Sequence, residues 1–552
     1  MEDELWYKNA VIYSLDLETF MDANGDGTGD FEGLSARLDY LHALGVDTIW
    51  LAPFQPTPNK DNGYDIYDYY GVDERHGSSG EFVDFIYKAK KLGIKVIIDL
   101  VVNHTSDKHP WFINACRSKD ARFRNWYVWS DEKPANADEG MVFPGVQETT
   151  WTLEKKTNSY YFHRFFHYQP DLNTDNPEVR KEIERIMGYW LQLGVDGFRV
   201  DAVPFILEAP APGKKAQMRF EYLKQMRRFL QWRKGDAVFL GEANVLPEES
   251  KNYFGENGDG IHLMFNFFVN QYAFYTLATA EVKPLVDALM RTKEIFPYNQ
   301  WAQFLRNHDE LDLGRLTDEE REKVFQKFGP AKNMQLYDRG IRRRLAPMLG
   351  NRQQVEVAYS LMFSLPGTPV IRYGDEIGMG ENLELPEREA IRTPMQWSAD
   401  AGAGFSKASK LVHPVVEEGY YSYKHVNVEH QRRDPSSLLN WMTALIRLRK
   451  ECPEIGHGDW EIVDTGFEHV LGMRYNWREN SLFIFHNFKD EPQEIVIKKK
   501  QSGHKKLIDL MNNEESIASE KQEHAIILEA YGYRWFRADD LASPYEHHKV
   551  KR

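Results

Sequence analysis

The feature that most constrains this chain is a regular alternation of short, continuous apolar runs with stretches of helical periodicity. Strand-like runs are read at 10–14, 48–51, 95–102, 197–200, 237–240, 261–265, 301–305 and 369–373. Amphipathic helical patterns fall between them at 34–44, 80–92, 178–193 and 216–232. A strand that is apolar along its whole length must be covered on both faces, as in a parallel sheet wrapped by helices. Eight such strands in β–α order predict an α/β fold of the (β/α)8 TIM-barrel type, where chemistry collects at the C-terminal ends of the strands.

Two segments interrupt the alternation. Residues 105–169, rich in Trp, Tyr, Asn and turn formers, read as a subdomain B inserted after the third strand. Residues 311–365 read as a charged helical insertion before the eighth strand, carrying Arg339 and the run Arg342-Arg343-Arg344. The barrel is thus assigned to 1–104 and 170–455. Beyond it, residues 456–541 alternate in the manner of an antiparallel β-sandwich domain, and 542–552 form a polar tail. The lysines at 498–500 and 505–506 mark a solvated hairpin tip rather than a phosphate site.

Charge and cysteine count exclude several classes of function. A net charge of −15 argues against nucleic acid and against an anionic membrane as partner. Two distant cysteines, Cys116 and Cys452, make neither a disulfide framework nor a metal knuckle. The acidic N-terminus lacks an apolar signal core and no run reaches membrane length, so a cytoplasmic, soluble protein is expected. Nothing in the sequence opposes a homo-oligomer. No organic cofactor is expected: the glycines of 22–30 would set a pyrophosphate against three aspartates.

Three carboxylates close predicted strands: Asp201 after the fourth, Glu242 after the fifth and Asp309 after the seventh. Arg199 and Asp201 are one residue apart, so strand alternation puts them on one face. A guanidinium there is expected to keep Asp201 ionised. Two carboxylates at one barrel mouth suit glycosidic chemistry, one attacking the anomeric carbon while the other protonates the leaving oxygen. Crowding is expected to raise the pKa of the acid. The alternative for each residue alone is a structural ion pair or turn. A separate stretch, Asp22-Ala23-Asn24-Gly25-Asp26-Gly27-Thr28-Gly29-Asp30, has oxygen side chains at alternate positions on a glycine-rich loop, which fits either a hard cation or a polar turn.

Taken together, Asp99-Leu100-Val101-Val102-Asn103-His104, Gly197-Phe198-Arg199-Val200-Asp201, Gly241-Glu242 and Asn307-His308-Asp309 resemble the four signature regions of the α-amylase family, glycoside hydrolase family 13. Gln169-Pro170-Asp171-Leu172-Asn173 resembles the fifth region of its oligo-1,6-glucosidase-like branch. The resemblance implies Asp201 as nucleophile, Glu242 as general acid/base and Asp309 as the carboxylate that binds and distorts the sugar. It implies that Arg199, His104 and His308 bind hydroxyls or hold the acids. It further implies that Asp61 and Arg392, in Asp61-Asn62-Gly63-Tyr64 and Arg392-Thr393-Pro394-Met395-Gln396-Trp397, pair to close the far end of a glucose pocket. Tyr64 would stack on the sugar, with Phe165 and Gln169 lining the pocket. For the loop it implies a structural calcium (or magnesium) bound by Asp22, Asn24, Asp26 and Asp30 with the Thr28 carbonyl.

Within the family, 103–112, His163-Arg164-Phe165-Phe166, Gly241-Glu242-Ala243-Asn244, 304–311 and 340–347 resemble the isomerases that interconvert maltose and trehalose, small α-linked disaccharides. Ala202, directly after Asp201, resembles α-1,4-type members. Three positions depart from the pattern: Ser14-Leu15-Asp16-Leu17-Glu18 replaces a Gln-Leu-His-Val type of strand end, Val245 stands for glutamine and Arg372 for tyrosine. An α-glucosidase or transglucosidase is the alternative, and a non-catalytic interaction protein on the same scaffold is a further one, which the retention of all three acids disfavours.

Overall fold

The structure, a computed structural model, describes residues 3–211, 214–498, 506–512, 514–519, 521 and 523–538. The tail at 542–552 and the lysines at 499, 500 and 505 lie outside the described residues. Eight parallel strands close into a barrel: β1 (Ile12–Leu15), β2 (Thr48–Leu51), β3 (Lys95–Leu100), β4 (Gly197–Val200), β5 (Val238–Gly241), β6 (Leu263–Phe265), β7 (Gln300–Phe304) and β8 (Thr368–Arg372). Each pairs with its neighbours in chain order, and β8 closes on β1 with Ser14 opposite Arg372.

The period of two along each strand sorts its side chains between two cores. Ile12, Trp50, Ile97, Val238, Leu240, Phe265, Ala302 and Phe304 fill the barrel interior. Tyr13, Ile49, Leu51, Ile98, Phe198, Val200, Phe239 and Trp301 face outward into the layer under the helices. Parity therefore carries Asp99, Arg199, Asp201 and Glu242 inward, above the interior plug. Gly197 fits this crowding because a Cβ there would lie 2.3 Å from the Val238 carbonyl oxygen.

The helices end where their sequence says they should. Asn176 caps Pro177–Leu193, proline occupies its first turn, and Gly194 terminates it in the left-handed region (φ +110°) just before β4. Ser78 and Glu81 form a reciprocal capping box at the start of Ser79–Lys91. The single helix expected at 34–44 is two, Phe31–Ala36 and Leu38–Leu44, and that expected at 216–232 is Phe220–Arg233.

Residues 105–169 hold a short helix, Pro110–Ala115, and a three-stranded sheet of Trp129–Ser130, Trp151–Glu154 and Ser159–Phe162. The insertion before β8 is not purely helical. Helix Asp318–Phe328 is followed by a small sheet pairing Leu311–Asp312 and Gln335–Leu336 with Gly340–Ile341, and the helix Arg352–Ser364 packs on the barrel wall against β7 and β8. The C-terminal strands make two layers that enclose Phe483, Phe485, Ile495, Ile497, Leu507 and Ile526. The opposite face of the larger layer docks on the barrel, where the Trp535 indole donates to Ser360 Oγ at 2.9 Å. Among the described residues no helix is long and apolar enough to cross a membrane.

Candidate active site

At the C-terminal mouth of the barrel a cavity of about 500 Å3 is lined by Asp201, Glu242 and Asp309 together with Asp61, Tyr64, His104, Phe165 and His308. The ladder sets the two catalytic candidates side by side: the Glu242 amide donates to the Val200 carbonyl at 3.1 Å and the Asp201 amide to the Leu100 carbonyl at 3.3 Å. Arg199, 1% exposed, is the hub. Its Nη1 donates to Asp99 Oδ1 at 2.9 Å and to Asp201 Oδ1 at 2.6 Å, and its Nη2 lies 2.8 Å from Glu242 Oε2. Ala202 follows in the left-handed region (φ +47°), which aims its amide at Glu242 Oε2 at 3.1 Å. A non-glycine residue held there stores strain of order 1 kcal/mol, of the kind that clusters at functional sites.

One guanidinium among this many buried carboxylates does not neutralise them, and the titration follows. Burial, with Asp201 and Asp309 nearby, pushes Glu242 up to about 7 against the opposing pull of Arg199 and the Ala202 amide. Burial and the neighbouring Asp99 and Asp309 also push Asp201 up, to about 6, so the expectation that Arg199 alone fixes its charge is too simple. Asp201 is nonetheless the more acidic of the two. Asp309 goes the other way: against the cost of burial, His308 and the guanidiniums of Arg388 and Arg392 hold it well below the usual carboxylate range. A proton-holding Glu242 beside ionisable Asp201 and a firmly charged Asp309 is the division of labour that acid-assisted glycoside chemistry requires.

The far end of the cavity differs from the expected Asp61–Arg392 pair. Arg388 makes that closure, with Nη2 3.2 Å from Asp61 Oδ1 and Nη1 2.6 Å from Asp309 Oδ1. Arg392 binds one layer below, donating to Asn62 Oδ1 at 2.7 Å, Asp309 Oδ1 at 3.1 Å and the His308 carbonyl at 2.9 Å. Asp61 also accepts from Gln169 Nε2 at 2.8 Å, which places Gln169 behind the cavity wall rather than in it. Tyr64 stacks on His308 with centroids 5.6 Å apart and planes at 12°, and its hydroxyl lies 3.0 Å from Asp99 Oδ2 and 2.8 Å from His308 Nε2. His104 Nε2 reaches the Tyr64 carbonyl at 3.0 Å, and burial keeps this ring neutral, near 4. Phe165 meets the edge of His104 at 5.3 Å.

The two insertions meet over the cavity. Phe143 packs against Tyr337 with centroids 5.1 Å apart, and Arg339 Nη2 donates to the Val142 carbonyl at 3.0 Å. Below them the side opposite the Asp61–Arg388 closure is mostly polar: Asn244 donates to Asp312 Oδ2 at 3.1 Å, Arg339 Nε to the same oxygen at 3.3 Å, and Glu310 lines the wall beside the apolar Val245. Two of the departures from the family pattern turn out to be one feature. Asp16 and Arg372, at the adjoining ends of β1 and β8, form a buried ion pair through both guanidinium nitrogens, which holds Asp16 near 2 despite its burial.

The loop at 22–30 spends its oxygens on itself. Asp22 accepts from the amides of Gly25 (2.6 Å) and Gly27 (2.8 Å), and Asp30 from those of Ala23, Asn24 and Gly33. Asp26 Oδ1 accepts from the Thr28 amide and Asn24 Oδ1 from that of Asp26, both at 2.8 Å. Among the described residues no three His, Cys, Asp or Glu converge to hold a metal ion.

Comparison with known proteins agrees with the geometry. The chain matches the family described as alpha amylase, catalytic domain, over residues 17–342 and 335–458, and a sucrose hydrolase-like C-terminal domain over 480–537. It is 38% identical to a trehalose synthase of Pimelobacter sp. (strain R48) over 98% of this chain and 97% of that protein. It is 44% identical to a trehalose synthase of Thermus thermophilus over 85% of this chain, but spans only 49% of that longer protein. Among solved structures it superposes on the trehalulose synthase MutB with a TM-score of 0.78 at 26% identity, covering 97% of this chain and 100% of the other.

Proposed function

Because the chain belongs to the α-amylase family, we propose that it is a retaining isomerase that interconverts maltose and trehalose. The observation that carries this reading is the pairing of Asp201 and Glu242 on the two arms of Arg199 inside a cavity closed at one end by Asp61–Arg388 and covered by two insertions. On this reading the Asp61–Arg388 closure admits a single terminal glucosyl unit and stops a longer chain from threading through.

In the forward reaction the Asp201 carboxylate attacks the anomeric carbon of the bound glucosyl unit. The C1–O bond to the second glucose breaks as Glu242 gives its proton to that oxygen. A β-glucosyl ester on Asp201 and a free glucose result. The glucose, held under the Phe143–Tyr337 and Val142–Arg339 contacts, turns over and presents its own anomeric hydroxyl. Glu242 takes that proton as the oxygen attacks C1 from the opposite face, releasing Asp201 and forming the α-1,1 link. Two inversions retain configuration; the proton Glu242 gave stays on the former glycosidic oxygen as a hydroxyl, and the one taken from the anomeric hydroxyl restores Glu242. A trapped acceptor competes at high effective concentration, whereas water entering instead produces hydrolysis. Asp309, held charged by Arg388 and Arg392, binds the sugar and favours its distorted form. His104, His308 and Tyr64 shape the pocket of that same unit.

The carbohydrate relatives support a disaccharide as ligand, and MutB is recorded with isomaltulose. The free thiols of Cys116 and Cys452 support a reducing, cytoplasmic location. A calcium or magnesium ion at 22–30 rests on the alternate oxygens of that loop, whose carboxylates would have to exchange amide contacts for the ion. Chromatography of products after incubation with maltose tests the central reading. Trehalose as the main product supports it, and glucose without trehalose assigns the chain to the α-glucosidases.

A further inference from the structure

A second cavity, of about 300 Å3, lies at the other end of the barrel, between the loop that leads into β7 and the first residues of the C-terminal domain. Its wall includes Lys8, Lys293, His457 and Trp460, together with the amide side chains of Asn266 and Gln303. None of these belongs to the catalytic mouth.

Its charge is one-sided. Lys8 is buried, 9% exposed, and burial alone pushes its pKa down, with no carboxylate acting on it. Lys293 is half-buried with its ammonium 4.8 Å from the centre of the Trp460 ring. Among the described residues neither lysine takes part in an ion pair. His457 is kept neutral, near 4, by burial and by the charge of Lys8. Among the described residues the one acid in the wall, Asp459, is exposed. The Lys8 stem is buried while its ammonium opens on the cavity, and in a chain of net charge −15 acids were available to set a counter-charge beside it.

The polar lining is also incomplete. Asn266 uses Oδ1 to cap the helix Phe267–Thr279, accepting from the Val269 amide at 3.1 Å, while its buried Nδ2 has no acceptor among the described residues. Asn266 and Gln303 have the outward parity of β6 and β7, so they reach into the layer between strands and helices. The cavity thus runs from two cations and an indole face to an unsatisfied amide donor, with more volume than a bare phosphate needs.

We infer that this cavity binds a phosphate monoester of a sugar-sized polyol, with Lys8 and Lys293 on the phosphate, Trp460 against the body and Asn266 donating to a hydroxyl. The Lys293 ammonium is already held in place by the ring, so little order is lost on binding.

The test is titration calorimetry on the full chain, with inorganic phosphate and glucose 6-phosphate as probes. It is run in an Asp201→Asn background saturated with maltose, so that the catalytic cavity is filled. Both probes are expected to bind, glucose 6-phosphate more tightly. Lys293→Gln, at the half-buried position, should weaken both by about tenfold or more and leave kcat for maltose unchanged in an otherwise native chain. Lys8→Met should do the same if it folds. Absence of heat from either probe overturns the inference, as does an affinity that Lys293→Gln leaves within about twofold. Phosphate binding with no gain from the sugar body overturns the assignment to a monoester.

Discussion

Replacing Arg388 by leucine asks the most of the site as described. Arg388 touches both Asp61 (3.2 Å) and Asp309 (2.6 Å), and the two carboxylates do not lose equally when it goes. Asp309 keeps Arg392 at 3.1 Å and His308 at 3.2 Å. Asp61 keeps the neutral Gln169 amide at 2.8 Å as its hydrogen-bond donor and the charge of Arg392 only at longer range, and its pKa is already raised by burial. Charge-assisted hydrogen bonds are worth about 1.5–3 kcal/mol each. Two would cap the loss at roughly 10⁴-fold, but Asp309 stays charged, so the expected loss in kcat/KM for maltose is about 10²-fold. Asp61 should then take up a proton near neutrality, and the plug opens. Relative activity on maltotriose should therefore rise even as activity on maltose falls. Steady-state kinetics on both sugars, with the melting temperature as a control for folding, reads the result. If Arg388→Leu stays within about threefold of the parent while Arg392→Leu alone relaxes chain-length selectivity, the closure has been assigned to the wrong arginine.

Three other outcomes are expected. Catalysis needs Asp201 ionised and Glu242 protonated, so kcat/KM should rise with pH through about 6 and fall through about 7, and a plateau extending well above pH 8 would contradict these roles. Asp16→Asn and Arg372→Tyr should each destabilise the fold by about 3–5 kcal/mol, and the double variant by less than their sum. Asp16 has a folded pKa below its unfolded one. Its contribution is thus fully present above about pH 4 and is lost as pH falls toward about 2, which acid unfolding of the parent and of Asp16→Asn would resolve. Addition of calcium to chelated protein should raise the melting temperature if loop 22–30 binds it, and no shift at millimolar calcium would remove the ion from the account.

The barrel was legible because its strands are apolar on both faces and end on acids, and parity alone turns Arg199, Asp201 and Glu242 inward. What escaped is instructive. Arg388 lies in a short 3₁₀ turn, Glu387–Ile391, that ends just before Arg392; both reach Asp309, and only tertiary register decides which one reaches Asp61. The Asp16–Arg372 pair joins residues far apart in the chain, legible only if two odd positions are considered together at the seam where β8 meets β1. The hairpin at 335–341 turns through Tyr337 and Asp338, both with positive φ, in place of the Asn-Gly signal that usually announces such a turn. In the 22–30 loop, the same side-chain oxygens that suggest a cation also satisfy a turn, and the sequence carries no mark that separates the two uses.

The central claim, that Asp201 carries the glucosyl unit between two oxygens, has a direct measurement. Glu242→Gln, which can no longer assist deglycosylation, should accumulate a covalent adduct when given α-glucosyl fluoride, whose leaving group needs no proton. Intact-mass spectrometry should then find one glucosyl unit per chain, and peptide mapping should place it on Asp201. Fluoride release with no adduct, or an adduct on any other residue, would contradict the account.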